Sequence, residues 1–95
     1  MHLQPRIIKY LKPRACCFNI NVAQPGGCPD LLICYRGKFL GIEVKDGSDR
    51  EGKRQVVVLY RIKLHKGYAI VARNLRDVMD LLEEVDRDID ERKMI

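Results

Sequence analysis

Three residues near the middle of the chain carry side chains that can bind a divalent cation and activate water: Asp30, Glu43 and Lys45. Mg²⁺ prefers oxygen ligands and typically takes one or two carboxylates together with water and phosphate oxygens. A lysine beside two carboxylates favours their ionised state and can orient or deprotonate a water on the metal. If the fold brings these side chains together, they are suited to metal-assisted hydrolysis of a phosphodiester.

The segments that contain these residues are predicted to form a β-hairpin. Residues 30–35 and 38–45 are apolar stretches of strand length, and Arg36-Gly37 between them is a turn signal. A two-residue turn there places Tyr35 opposite Lys38, and a four-residue turn centred on the same place gives the same pairing. These two turn lengths therefore predict the same register for the hairpin.

Continuing that register places Asp30 opposite Glu43, and Lys45 shares the face of Glu43 because side chains two apart point the same way. Two opposed carboxylates repel each other, and a cation between them would remove the repulsion. A surface salt-bridge cluster is the alternative, since Glu-x-Lys alone is common. An Asp after Gly-x-Pro, in register with Glu-x-Lys, favours the functional interpretation. The other face of the hairpin is predicted to face the core: Leu31, Ile33, Ile42 and Val44.

The remaining elements follow from hydrophobic periodicity and turn residues. They are a helix over 5–12 that stops before Pro13, a strand over 15–22 in which Phe18 alternates with polar residues, a helix over 53–66 stopped by Gly67, a buried strand over 68–72, and a last helix capped by Asn74. The order is α-β-β-β-α-β-α, which predicts an α/β fold with a mixed sheet flanked by helices. The apolar stripe of the last helix can pack on the sheet or extend into a dimer interface.

The charge of the chain is unevenly distributed. Its 95 residues suit one domain, and the formal net charge is +5. Residues 1–29 carry four basic and no acidic side chains, whereas residues 77–95 carry eight acidic and three basic ones. The part of the chain before residue 77 is therefore strongly basic. Such a charge suits a polyanion such as nucleic acid, and a solvated surface is the alternative. The acidic tail is expected to lie away from the active surface.

No apolar run is long enough to span a membrane, and the N-terminus does not have the pattern of a signal peptide, so we expect a soluble intracellular protein without a membrane partner. Adjacent cysteines in a strand point to opposite faces, and no CxxC pair is present. We therefore expect free, buried thiols rather than disulfides or a zinc site at all four cysteines: Cys16, Cys17, Cys28 and Cys34.

The motif residues resemble a known family. Gly27-Cys28-Pro29-Asp30, then Gly41-Ile42-Glu43-Val44-Lys45, then Gln55 at the start of a helix are similar to the virus-type replication-repair nuclease (VRR-NUC) domain, a branch of the PD-(D/E)XK superfamily. The resemblance covers about Gly26 to Val71. It implies a restriction-endonuclease-like core and a phosphodiester hydrolase that uses Mg²⁺ or Mn²⁺.

The resemblance also implies roles for individual residues. Asp30 and Glu43 would bind the metal, with the backbone carbonyl of Val44 as a further ligand. Lys45 would position or activate the attacking water, and Gln55 would lie near that water or a phosphate. Independently of the resemblance, three basic residues around the start of the second helix can neutralise phosphates, with a solvated helix face as the alternative: Arg50, Lys53 and Arg54.

The chain departs from the family at one point. Many relatives supply a further acidic residue from the first helix, but no Asp or Glu precedes Asp30 here. Gln4, His2 or water would have to take that place. The departure favours a single metal ion.

The predicted function is therefore a metal-dependent DNA endonuclease. Small members of the family look like phage or bacterial enzymes, including Holliday-junction resolvases that work as homodimers, which implies branched DNA as the substrate, a homodimer, and the cytoplasm of a bacterial or phage-infected cell. Three alternatives stay open. They are a non-catalytic DNA-binding module that retains the nuclease fold, an unrelated small basic interaction protein such as a ribonucleoprotein component, and a sequence-specific restriction-type enzyme.

Overall fold

Seven helices and strands follow one another in the predicted order within the residues that the computed structural model describes, which are 2–19, 27–46 and 52–93. Their bounds are α1 Leu3–Leu11, β1 Cys16–Asn19, β2 Leu31–Tyr35, β3 Lys38–Val44, α2 Lys53–Leu64, β4 Tyr68–Ala72 and α3 Leu75–Lys93. The α/β class and the order α-β-β-β-α-β-α are confirmed. The outer half of the predicted first strand, residues 20–22, lies outside the described residues.

The four described strands form one mixed sheet in the order β1-β2-β3-β4. The β1–β2 and β2–β3 pairs are antiparallel, and β3–β4 is parallel. A parallel pair needs a crossover connection, and here α2 supplies it. Since β3 has a partner on each side, the strand that carries Glu43 is held by two ladders of backbone hydrogen bonds.

The hydrophobic core lies between one face of the sheet and the helices α1 and α3. Three of the four predicted inward residues of the hairpin belong to it, and the fourth, Val44, is partly buried against it. The buried core residues are Leu3, Ile7, Leu11, Leu31, Ile33, Leu40, Ile42, Ala72, Val78, Leu81, Leu82 and Val85. The apolar stripe of α3 is thus used within the protein's own core. Asn74 caps α3 as predicted, because its Oδ1 accepts a hydrogen bond from the Asp77 N–H at 2.9 Å.

The helix α2 packs on the opposite face of the sheet, against β3 and β4. Gly41 makes this close packing possible, since a Cβ at that position would lie 2.8 Å from Ile62 Cδ1 and 3.0 Å from Pro29 Cγ. At the end of α2 the left-handed residue is Lys66 (φ 72°), whereas the sequence had pointed to Gly67 as the stop. The Gly67 N–H bonds to the Ile62 carbonyl at 2.9 Å, which ends the helix in a Schellman arrangement.

The prediction that all four cysteines are buried is wrong. The thiols are free, but Cys16 and Cys34 are exposed and opposite each other in the β1–β2 register. They lie beside Phe18, which is 59% exposed, on the half of the sheet that α2 does not cover. Cys17, on the other face of β1, packs against the core instead. Finally, no helix among the described residues is long and apolar enough to cross a membrane.

Candidate active site

The hairpin turn sets the register on which the site depends. Arg36 (φ 51°) and Gly37 (φ 82°) both have positive φ, as a two-residue type I′ turn requires. Tyr35 pairs with Lys38, and the ladder runs without a bulge to the last pair, formed by Leu31 and Ile42.

The next position along this ladder brings Asp30 opposite Glu43, as predicted. Asp30 itself lies just before β2, and its Oδ2 accepts a hydrogen bond of 2.9 Å from the Val44 N–H. A backbone donor of β3 thus fixes the Asp30 carboxylate at the end of that strand. The position of the carboxylate depends on the main chain of the neighbouring strand rather than on a flexible side chain.

Glu43 is the most unusual residue of the site, because it is a carboxylic acid with only 2% of its surface exposed. Its face of β3 is the one that α2 covers, two residues after Gly41. Within the described part of the chain, its Oε2 atom is buried without a hydrogen-bond partner. An unsatisfied buried polar atom normally costs free energy, so such atoms in native proteins call for an explanation.

The pKa of Glu43 is raised to about 8, chiefly by burial and then by a hydrogen bond to Asp30 and the charge of Asp30. The positive charge of Lys45 acts the opposite way and lowers the pKa of Glu43. In the absence of a cation, Glu43 therefore holds a proton near neutral pH. That proton lies between two carboxylates, in a place where a positive charge is favourable.

These features fit a hard divalent cation. A cation bound at Oε2 of Glu43 would satisfy the orphaned oxygen and would separate the charges of Asp30 and Glu43. Among the residues described, no point is surrounded by three or more His, Cys, Asp or Glu side chains. Two carboxylates remain, which is within the one or two that Mg²⁺ typically takes from a protein.

Lys45 comes directly after β3 and is half-buried. Its backbone N–H donates to the Ala72 carbonyl at 3.0 Å, so the β3–β4 ladder extends one step beyond the strand. The effect of Lys45 on the pKa of Glu43 shows that its ammonium group acts on the site electrostatically. Val44 uses its N–H to hold Asp30, and the metal-binding role of its carbonyl stays a prediction.

Gln55 has a structural task that the sequence did not reveal. Its Oε1 accepts a hydrogen bond of 2.8 Å from the Gly52 N–H and so caps the first turn of α2. A role toward water or phosphate would have to use its amide NH₂ group. Lys53 and Arg54 belong to the same first turn, but their side chains lie outside the described residues, as does all of Arg50.

Gln4 and His2 do not join the two carboxylates through any hydrogen bond of the described residues. The Gln4 Nε2 donates to Asn19 Oδ1 at 2.9 Å and ties α1 to the end of β1. Both residues line a cavity together with Asn19 and Asp46. Sequence reasoning missed this cavity because its walls come from segments far apart along the chain, and no local pattern marks Asn19 or Asp46 as a pair.

The fold and the site together define an α/β nuclease-type domain with a restriction-endonuclease-like core. A solved structure described as a VRR_NUC domain matches the chain with a TM-score of 0.66 and 26% sequence identity, covering 83% of this chain and 92% of the other. The chain thus has a VRR-NUC fold, and the resemblance seen in its motifs is confirmed. No protein-family model and no curated protein matches it.

Proposed function

We propose that this protein is a divalent-metal-dependent DNA endonuclease. The observation that carries the proposal is the buried Oε2 of Glu43, which has no hydrogen-bond partner in the described part of the chain and lies opposite Asp30, within the electrostatic reach of Lys45. A purely structural carboxylate at this depth would have its hydrogen bonds satisfied. The VRR-NUC fold supports the same conclusion from an independent direction.

Each residue of the site has a task in this reaction. Asp30 and Glu43 would hold Mg²⁺ or Mn²⁺, with the Val44 carbonyl beside them. When bound, the ion supplies a Lewis acid for the phosphoryl oxygen and lowers the pKa of the attacking water. Lys45 orients that water or stabilises the negative charge that develops on the phosphate. Gln55 contacts the same phosphate from the start of α2.

DNA as the substrate agrees with the distribution of charge. Lys53 and Arg54 begin α2, which follows the end of β3 where the carboxylates lie, and the preceding Arg50 adds a further positive charge. Two acidic residues in the second half of α3 lie at the turn end of the hairpin, where Asp86 binds Arg36 at 2.8 Å and Asp90 lies 3.5 Å from it. The path of a polyanion to the site is thereby kept clear of a large part of the negative charge.

Branched DNA and a homodimer are the finer parts of the proposal. Large apolar side chains are exposed on β1, on β3 and on α2, which supports self-association through some of them: Phe18, Phe39, Val56, Val57, Tyr60 and Leu64. A two-fold dimer would present two sites to two strands of a junction. Sedimentation should give twice the monomer mass, and a Phe18→Asp substitution should return it to the monomer.

The decisive experiment is cleavage of labelled four-way junction, flap, single-stranded and linear duplex DNA with Mg²⁺, with Mn²⁺ and with EDTA. Lys45→Ala should abolish cutting. Lys38→Ala is the matched control, because Lys38 lies on the same strand at the turn end and should leave cutting unchanged. Metal-dependent cutting of the junction that only Lys45→Ala removes would support the nuclease and its preference for branched DNA.

A non-catalytic DNA-binding module is the second candidate function. The observation in its favour is the first helix, where Gln4 is engaged with Asn19 and no carboxylate reaches the site. Tight DNA binding by the wild type with no cutting in either metal would establish this second function and overturn the first.

A further inference from the structure

A cavity separate from the carboxylate pair begins one residue beyond Lys45. It has a volume of about 560 Å³ and lies between α1, the end of β1 and the segment that leaves β3. A volume of this size is within the range of small-molecule and cofactor sites. We call it the α1 groove, and its walls include Gln4, Ile8, Lys9, Lys12, Asn19 and Asp46.

The lining of the α1 groove is chemically mixed. Lys9 and Lys12 are exposed and stand one helical turn apart on the same side of α1. The hydrogen bond between Gln4 and Asn19 fixes two side-chain amides in the wall. Ile8 adds an apolar surface, and it is itself packed against the core, so this part of the wall is rigid.

This mixture suits a nucleotide better than a bare anion. A free phosphate would gain from the lysines but would be repelled by the carboxylate of Asp46 and would make no use of Ile8. A nucleotide has a phosphate for the lysines, an apolar ring face, and a base edge with donors and acceptors. Amide side chains and Asp are among the groups that hydrogen-bond to base edges.

The location of the α1 groove connects it to the site. Asp46 follows Lys45 directly, so the groove and the carboxylate pair share the end of β3. The helix α1 packs on the face of the sheet opposite to α2. A DNA strand that occupied both the α1 groove and the carboxylate site would therefore pass over the end of β3. The helix α1 and the strand β1 contribute no negative charge to this groove, because no acidic residue occurs before Asp30.

We infer that the α1 groove binds one nucleotide of the DNA substrate outside the scissile phosphate. Lys9 and Lys12 contact a phosphate, while Gln4, Asn19 and Asp46 contact the base edge. The inference rests on the proposed nuclease function and names a further part of its substrate. The inference predicts that the enzyme needs a DNA strand that extends beyond the cleaved bond toward α1.

The first test measures DNA binding by fluorescence anisotropy, in a Lys45→Ala background that cannot cut. Lys9→Ala/Lys12→Ala should weaken binding about tenfold or more. It should also reduce the slope of log K against log salt concentration by the equivalent of about one or two phosphate contacts. Arg92→Ala/Lys93→Ala is the matched control, because it also removes two exposed cations, but at the far end of α3. Equal losses in the two double variants would overturn the inference, since only net charge would then matter.

The second test locates the nucleotide by removing single bases from the DNA, one abasic position at a time. One position outside the cut should weaken binding of the wild type several-fold, and Asn19→Ala should be insensitive at that position. A scan without such a position would overturn the inference. Displacement of DNA by millimolar deoxynucleoside monophosphate, lost only in Lys9→Ala/Lys12→Ala, would also overturn it, because it would assign the groove to a free nucleotide.

The two proposals fail in different ways. Lys9→Ala/Lys12→Ala with Lys45 restored should cut saturating DNA at the wild-type rate with a raised KM. A lower rate at saturation would overturn the inference, because it would place the lysines in the reaction itself. If the wild type binds DNA and never cuts it, the nuclease proposal fails, and the anisotropy and abasic results still decide the groove.

Discussion

The two ends of the β2–β3 hairpin are built from similar residues and yet differ in how far their polar groups are satisfied. At the turn end, the Asp86 carboxylate accepts hydrogen bonds from Arg36 at 2.8 Å and from the Tyr35 hydroxyl at 2.9 Å. At the open end, Glu43 keeps a buried oxygen that has no hydrogen-bond partner among the residues that the structure describes. One end is optimised for stability, whereas the other retains an unfavourable arrangement, as functional sites often do.

The largest expected effect comes from changing the open end. Glu43→Gln should lower metal-dependent cleavage on the order of 10³-fold, because the loss of a cation ligand removes several kcal/mol of transition-state stabilisation. The same variant should be at least as stable as the wild type in EDTA, since a buried ionisable group is replaced by a neutral one of the same shape. Single-turnover cleavage and thermal melting check the two halves. A marked loss of stability would show that Glu43 is structural.

The pH dependence of stability should come from the open end as well. In EDTA, the folded-state pKa of Glu43 is raised to about 8 from the ordinary value of 4.5, so the folded protein binds the proton more tightly than the unfolded chain. The free energy of unfolding should fall as pH rises from about 4.5 to 8. Urea titrations across that range measure the slope, and Glu43→Gln should flatten it. A wild-type slope that survives in the variant would contradict the assignment.

A smaller effect is expected at the turn end. Tyr35→Phe removes the hydroxyl that donates to Asp86, and it should lower the free energy of unfolding by about 1 kcal/mol. Cleavage at saturating DNA should stay unchanged. Tyr60→Phe is the control, because that side chain is 63% exposed and should alter neither quantity. If Tyr35→Phe impaired cleavage as strongly as Glu43→Gln, the functional separation of the two ends would be refuted.

The smallest effect is a stabilisation. Lys66 holds a left-handed conformation (φ 72°) just before β4, at the turn end of the sheet. Lys66→Gly should raise the free energy of unfolding by about 0.5–1 kcal/mol, because glycine adopts that conformation without strain. Lys63→Gly, inside α2, should lower it by a similar amount. Chemical denaturation distinguishes the two signs, and a destabilised Lys66→Gly protein would argue against strain at this residue.

Local patterns predicted the hairpin and its register. The turn residues Arg36 and Gly37 and the period-2 alternation of the strands are each contained in a few neighbouring residues, so the opposition of Asp30 and Glu43 could be worked out from them. The same is true of the cap at Asn74.

Burial was harder to predict, because it depends on which element covers which face. The depth of Glu43 comes from the packing of α2 across the sheet, which the spacing of Glu43 and Lys45 does not encode. Cys16 and Cys34 are exposed for the converse reason, since α2 leaves their half of the sheet uncovered. The capping role of Gln55 was also missed, because a glutamine at the start of a helix can serve either as a cap or as a ligand.

The ladder of the hairpin has no bulge, so the turn determines which residues face each other at the carboxylate pair. That pair lies about 17 Å from the turn, which is five strand residues at roughly 3.4 Å each. Asp30 meets Glu43 only because the number of residues between them is even and symmetric about the Arg36-Gly37 turn. One residue gained or lost on either arm would rotate a carboxylate to the opposite face of the sheet and into the apolar core. The opposition of the two carboxylates is thus determined by the number of residues in each arm of the hairpin, counted from a turn at its other end.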